Sequence, residues 1–262
     1  MKTLINWKVF LILWIATVLS TAALLPYVLE LQSGVIAQLD IPLSLPALIA
    51  LQITQSGVLF AIIIFFGMLL MKRVGLSTPI LDSVTNGESA TDKLRAVLPI
   101  SVILGMIAAL LIVGLDVYVF QPAIIRELGD QVNPFTPTSQ PAAWKGFLAS
   151  FYGGIAEEIL LRLFVMSLLA WLGSFISKTP EGKPTSAIFW IANILAAVIF
   201  GLGHLPTASL IMPLIPVVVI RIILLNVLGG IIFGWLYQTR GLESAMLAHF
   251  STDIVLHVLF AL

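Results

Sequence analysis

The sequence predicts an all-α fold, a polytopic membrane bundle of about seven transmembrane helices, on three observations. Sixty per cent of the 262 residues are apolar and 10% are charged, whereas a water-soluble domain carries about 25% charged residues. The apolar residues fall in long runs rather than at amphipathic spacing, which is the pattern of membrane spans. The charges between the runs alternate: loops on one side are rich in Lys and Arg, loops on the other poor.

The runs read in order. The first, Trp7–Leu31, follows Lys2 and Lys8 and has small residues at Ser20–Ala23, as a secretory signal would. It continues almost unbroken to Leu31, longer than most signal cores, and so predicts an uncleaved span. The second is Ala47–Met71. The polar stretch Gly75–Arg95 after it reads either as an amphipathic segment at the interface or as a solvated loop. The third span is Ala96–Phe120. The fourth, Trp144–Ile176, is longer than the roughly 30 Å of hydrocarbon requires, so it must tilt, bend or protrude. The fifth is Ala187–Leu205. Pro206, Pro213 and Pro216 then predict a broken backbone directly after His204, of the kind tolerated at membrane depth only where protein or water satisfies it. Met212–Tyr237 and Leu242–Leu262 complete the set.

With the N-terminus in the cytoplasm, Lys2, Lys8, Lys72, Arg73, Lys93, Arg95, Lys178, Lys183 and Arg240 share the cytoplasmic side, and only Arg126 and Lys145 lie opposite. That is the asymmetry of the positive-inside rule. No long linker, repeat or low-complexity tract divides the chain, so residues 1–262 are expected to form a single membrane domain. The formal net charge of zero gives no argument for nucleic acid. The absence of cysteine removes disulfides and thiol catalysis.

Glu157, Glu158, Arg162, Arg221 and Asp253 fall inside spans, with His204, His249 and His257. Each ionisable group at a helix centre costs at least about 2.5–3.5 kcal/mol. Such groups serve as polar glue between helices or as a functional site. Glu158 and Arg162 are four apart and can pair on one helix face. Glu157 is rotated by about 100° and has no cation at helical spacing, so its partner must sit on another helix. His249 and Asp253 repeat the four-residue spacing, so that carboxylate can hold the imidazole. His257 extends the stripe but reads as an interfacial residue.

Glu157-Glu158-x-x-x-Arg162, Phe200-x-x-x-His204 and His249-x-x-x-Asp253, in this order on three apolar spans, resemble the motif set of the CAAX-protease and bacteriocin-processing family of intramembrane endopeptidases. The resemblance covers residues 144–262 as a catalytic core; residues 1–143 carry no family motif. It implies peptide-bond hydrolysis in a cavity within the membrane. Glu157 would activate water, His204 would help bind it, Glu158 would be the partner carboxylate stabilised by Arg162, and His249 would stabilise the oxyanion. The third motif departs from the family, which commonly has asparagine where Asp253 stands. An ionised aspartate cannot donate to an oxyanion, so Asp253 is protonated, or orients His249, or marks an inactive relative. No cofactor is expected; zinc held by Glu157, His204 and His249 is the alternative, although no HExxH helix is present. The implied partners are the lipid bilayer and a membrane-associated peptide or protein, prenylated or not, in a bacterial or archaeal plasma membrane. Two readings compete: a catalytically inactive scaffold or bacteriocin-immunity protein with the same residues as packing contacts, and a proton-coupled carrier, for which no inverted repeat is visible.

Overall fold

The computed structural model describes residues 5–36, 44–129 and 141–260. Lys2 and the last two residues of the expected seventh span lie outside the described residues. Seven long helical rods run through the rest. They are α1 (Trp7–Leu31), α2 (Leu45–Val74) and α3 (Thr91–Leu128, with a π-helical turn at Asp116–Phe120). Next comes α4, built from Ala143–Phe151, two π-helical stretches at Tyr152–Glu157 and Ile159–Met166, and Ser167–Gly173. The last three are α5 (Ser186–Ser209), α6 (Pro216–Arg240) and α7 (Leu242–Ile254, extended by a π turn at Val255–Leu259). By length and composition α1, α2, α3, α5 and α6 can each cross a membrane. The remaining two rods, α4 and α7, like α3, contain π turns, and both carry site residues.

The bundle is turned outward as a membrane protein is. Leu11, Ile15 and Leu19 of α1 and Val58, Ile62 and Phe66 of α2 are exposed, while Thr17, Ser20, Thr21 and Ser56 are buried. Lipid does not penalise exposed leucine, so helices associate through small residues and hydroxyl hydrogen bonds. Thr21 and Ser56 join α1 to α2 at 3.2 Å, Ser101 and Ser244 join α3 to α7 at 2.7 Å, and Ser167 and Tyr237 join α4 to α6 at 3.0 Å. Val9 and Leu13 of α1 and Ile64 and Met68 of α2 share one buried core with Ile159 and Leu163 of α4 and Ala245 of α7. The motif-free helices thus pack directly on those that bear the motifs.

One end of the bundle gathers most of the basic residues. Lys8 donates to the Thr85 carbonyl at 3.3 Å, and Lys183 donates to the Arg73 carbonyl at 3.1 Å. The stretch expected as an interfacial segment or loop contains a short helix, Pro79–Thr85, docked rather than solvated. Glu243 accepts from the backbone amides of Ile80 and Leu81 at 3.0 and 2.8 Å, satisfying donors that a helix start leaves open. Gly241, at φ 97°, makes the turn from α6 to α7 at a point where a β-carbon would strike Pro79.

The proline-rich break differs from expectation. Helix α5 continues through Pro206 to Ser209, and the irregular stretch begins at Leu210. A proline deletes one donor without necessarily ending a helix; at the helix end the Ser209 hydroxyl donates to the Pro206 carbonyl at 2.7 Å, satisfying a last-turn acceptor. His204 therefore stands on regular helix.

Candidate active site

The two adjacent glutamates straddle the junction of the π-helical stretches in α4. A π turn takes more residues than an α turn, so neighbouring residues diverge by less than in an α-helix. Both carboxylates consequently reach toward α7. Glu158 Oε1 lies 2.8 Å from His249 Nδ1, and Glu157 Oε2 lies 3.7 Å from His249 Nε2. Glu158 Oε2 is 3.3 Å from Arg162 Nε, with both side chains buried. The expected Glu158–Arg162 pair forms, and Glu158 additionally holds the imidazole.

That second bond reassigns a role. Spacing allows Asp253 to hold His249, one of the three roles open to it, but its Oδ1 lies 3.6 Å from Nε2, beyond hydrogen-bond range. Spacing within one helix cannot reveal a better acceptor on another, and the Glu158 carboxylate takes Nδ1–H. Nε2 is left flanked by Glu157 and Asp253.

Aromatic rings fix the cluster from the sides. Phe233 stacks on the His249 ring at 4.6 Å and 18°, and Phe200 meets it edge-on at 5.6 Å. The same two rings sit 5.8 and 5.9 Å from the Arg162 guanidinium carbon, within the range of cation–π attraction. Phe200 also contacts His204, at 4.8 Å. Nδ1 of His204 donates to the Phe200 carbonyl at 2.9 Å, which in the neutral ring leaves Nε2 as an acceptor.

A cavity of about 810 Å³ is lined by Glu157, His204, His249 and Asp253. Glu158 and Arg162 stand behind this wall, buried to 1% and 0% exposure. His257, expected at the interface, lines the same cavity and lies 3.4 Å from the Tyr27 hydroxyl.

The structure adds residues that spacing did not reveal. Gly153, one turn before Glu157, faces α7 so closely that a β-carbon would overlap Asp253 Oδ2 and sit 3.2 Å from His249 Nε2. Arg221 pairs with Asp116 through two nitrogens, and Gln121 donates to the same carboxylate at 3.3 Å. Asp116 could have been found by depth: it lies four residues before the expected end of the third span at Phe120, and Arg221 near the start of the antiparallel α6.

Zinc requires three or four ligands converging on one point. Among the described residues no group of three His, Asp or Glu side chains is arranged to hold a metal ion. Glu157, His204 and His249 are therefore not assembled as a ligand set here.

No curated protein and no solved structure is significantly similar to the chain. Residues 139–255 match the family model described as type II CAAX prenyl endopeptidase Rce1-like. The stretch that holds Glu157, Glu158, Arg162, His204, His249 and Asp253 thus matches the Rce1-like family, in agreement with the three motifs.

Proposed function

We propose that the protein is an intramembrane endopeptidase in which Glu157 activates the attacking water and His249 stabilises the oxyanion. The observation that carries this reading is the convergence of Glu157, Glu158 and Asp253 on one imidazole at the wall of a large cavity. The Rce1-like match supports protease activity at the level of the family.

In this mechanism a water beside Glu157 Oε2 gives its proton to that carboxylate and attacks the scissile carbonyl carbon. His204 Nε2, with Nδ1 committed to Phe200, accepts a hydrogen bond from the water and orients it. The imidazolium form of His249 donates from Nδ1 to Glu158 and from Nε2 to the developing oxyanion. Glu158 lies between Arg162 and His249, accepting from Nδ1, so the imidazole is held against rotation. The tetrahedral intermediate collapses when Glu157 passes its proton to the departing amine, which releases two peptide fragments and restores the carboxylate. General-base catalysis contributes about 10²–10⁴ in rate, and one oxyanion donor about 10²–10³.

The apolar part of the wall, including Leu24, Val28 and Ile199, suits a membrane-embedded or lipid-bearing peptide. The test is incubation of the purified protein in liposomes with matched prenylated and unprenylated membrane peptides, with new termini read by mass spectrometry. Cleavage of either supports the reading, and preference for the prenylated member places prenyl recognition in the cavity. Failure to cleave any peptide, by protein that retains its fold, favours the scaffold reading.

A further inference from the structure

We infer that the cavity is served from the non-cytoplasmic side of the membrane, so that the peptide it accepts has already been carried across the bilayer. The identification of that peptide as a substrate rests on the proteolytic reading above; the sidedness does not.

The first observation is the distribution of charge over the two ends. Lys72 and Arg73 close α2, Lys93 and Arg95 open α3, Lys178 and Lys183 lie between α4 and α5, and Arg240 closes α6. Lys8, at the start of α1, reaches the same end through its bond to Thr85. The opposite end carries Arg126 and Lys145 among its described residues, with Arg221 five residues into α6; Lys145 is paired with Glu30 and Arg221 with Asp116. Short loops rich in Lys and Arg stay in the cytoplasm during insertion, and acidic residues weigh little in that choice. The basic end is therefore the cytoplasmic one.

The second observation is where the cavity begins and stops. At the end away from the basic loops its lining reaches Tyr27 and Leu31, at the close of α1, and Thr207 and Met212, where α5 ends. Toward the basic end it stops at Val165 and Phe233. Phe233 is seven residues from Arg240, about 10 Å along the helix at 1.5 Å per residue. That interval is filled by packed side chains. Leu236, Tyr237 and Leu242 are at most 1% exposed, and Tyr237 is hydrogen-bonded to Ser167. No residue of the basic loops lines the cavity. A tail presented at the cytoplasmic face meets this floor, whereas a segment on the far side meets the mouth.

The chain contains no cysteine, so single-cysteine variants report sidedness directly. Glu127→Cys marks the far end, Thr207→Cys the mouth of the cavity and Ser89→Cys the basic end; all three positions are exposed, and none belongs to the cluster around His249. Intact cells expressing the full chain are treated with a membrane-impermeant maleimide. Glu127→Cys and Thr207→Cys should label, and Ser89→Cys should label only after permeabilisation. Labelling of Ser89→Cys in intact cells overturns the orientation. A silent Thr207→Cys beside a labelled Glu127→Cys overturns access from that side. Cleavage sites dependent on the protein should then map to non-cytoplasmic segments. If they map to cytoplasmic segments, the inference fails and proteolysis stands. If sidedness holds and no cleavage is found, the proteolytic reading fails instead.

Discussion

Glu158→Gln isolates the buried ion pair on which the site is built. Arg162 is 0% exposed and Glu158 1%, with nitrogen and oxygen 3.3 Å apart. At an effective dielectric of about 20 two unit charges at that distance attract by about 5 kcal/mol, and desolvation offsets part of this. Removing one partner of a buried pair costs about 3–5 kcal/mol, because the other charge remains uncompensated. Glutamine can still accept from His249 Nδ1, so the loss belongs mainly to Arg162. None of the Arg162 side-chain nitrogens has a hydrogen-bond partner among the described residues, so removing the arginine as well should strand little. Methionine in its place would lie between Phe200 and Phe233, where a thioether packs well. Glu158→Gln should therefore lose about 3–5 kcal/mol, and Glu158→Gln with Arg162→Met should recover most of it. Unfolding in detergent of the parent, both single variants and the double variant closes the cycle. Additive losses, with no recovery in the double variant, would refute the claim that this pair is the buried electrostatic anchor.

Gly153→Ala forces a β-carbon against Asp253 and His249; overpacking should cost about 1–3 kcal/mol and reduce cleavage far more than melting temperature, and unchanged cleavage would show that α4 and α7 have slack. Asp253→Asn should stay within about tenfold of the parent because the amide can donate to an oxyanion as well as accept. Asp253→Ala should lose about 10²–10³ in rate, and near-normal cleavage by it would remove Asp253 from the chemistry. Active protein should contain no stoichiometric zinc by elemental analysis and should resist chelators; one tight zinc whose removal stops cleavage would make Glu157, His204 and His249 ligands after all.

Local features of the site were legible in the sequence, and relations between helices were not. Composition suffices to place α1, whose observed bounds equal the expected ones, because lipid demands an uninterrupted apolar run. The Glu158–Arg162 pair is legible because four-residue spacing is a property of one helix. The Glu158–His249 bond is not, since it depends on how α4 and α7 meet and on the π-helical widening around Tyr152–Met166. Nothing in that stretch signals a π turn. Gly153 and Gly154 do signal close helix approach, although not toward which partner. Asp116 escaped notice because it lies near a span end, where a charge is cheap, although its partner Arg221 stood out.

Whether Glu157 is the general base is decided by comparing protein N-termini in membranes from cells expressing the parent or Glu157→Gln. Glu157 keeps 23% of its side chain exposed and contacts His249 only at 3.7 Å, so the substitution should leave abundance and melting nearly unchanged. Loss of the general base should lower cleavage by about 10²–10⁴. New termini should appear with the parent and none with the variant, at equal protein levels. Identical sets of termini from the two, with both proteins folded and abundant, would contradict it.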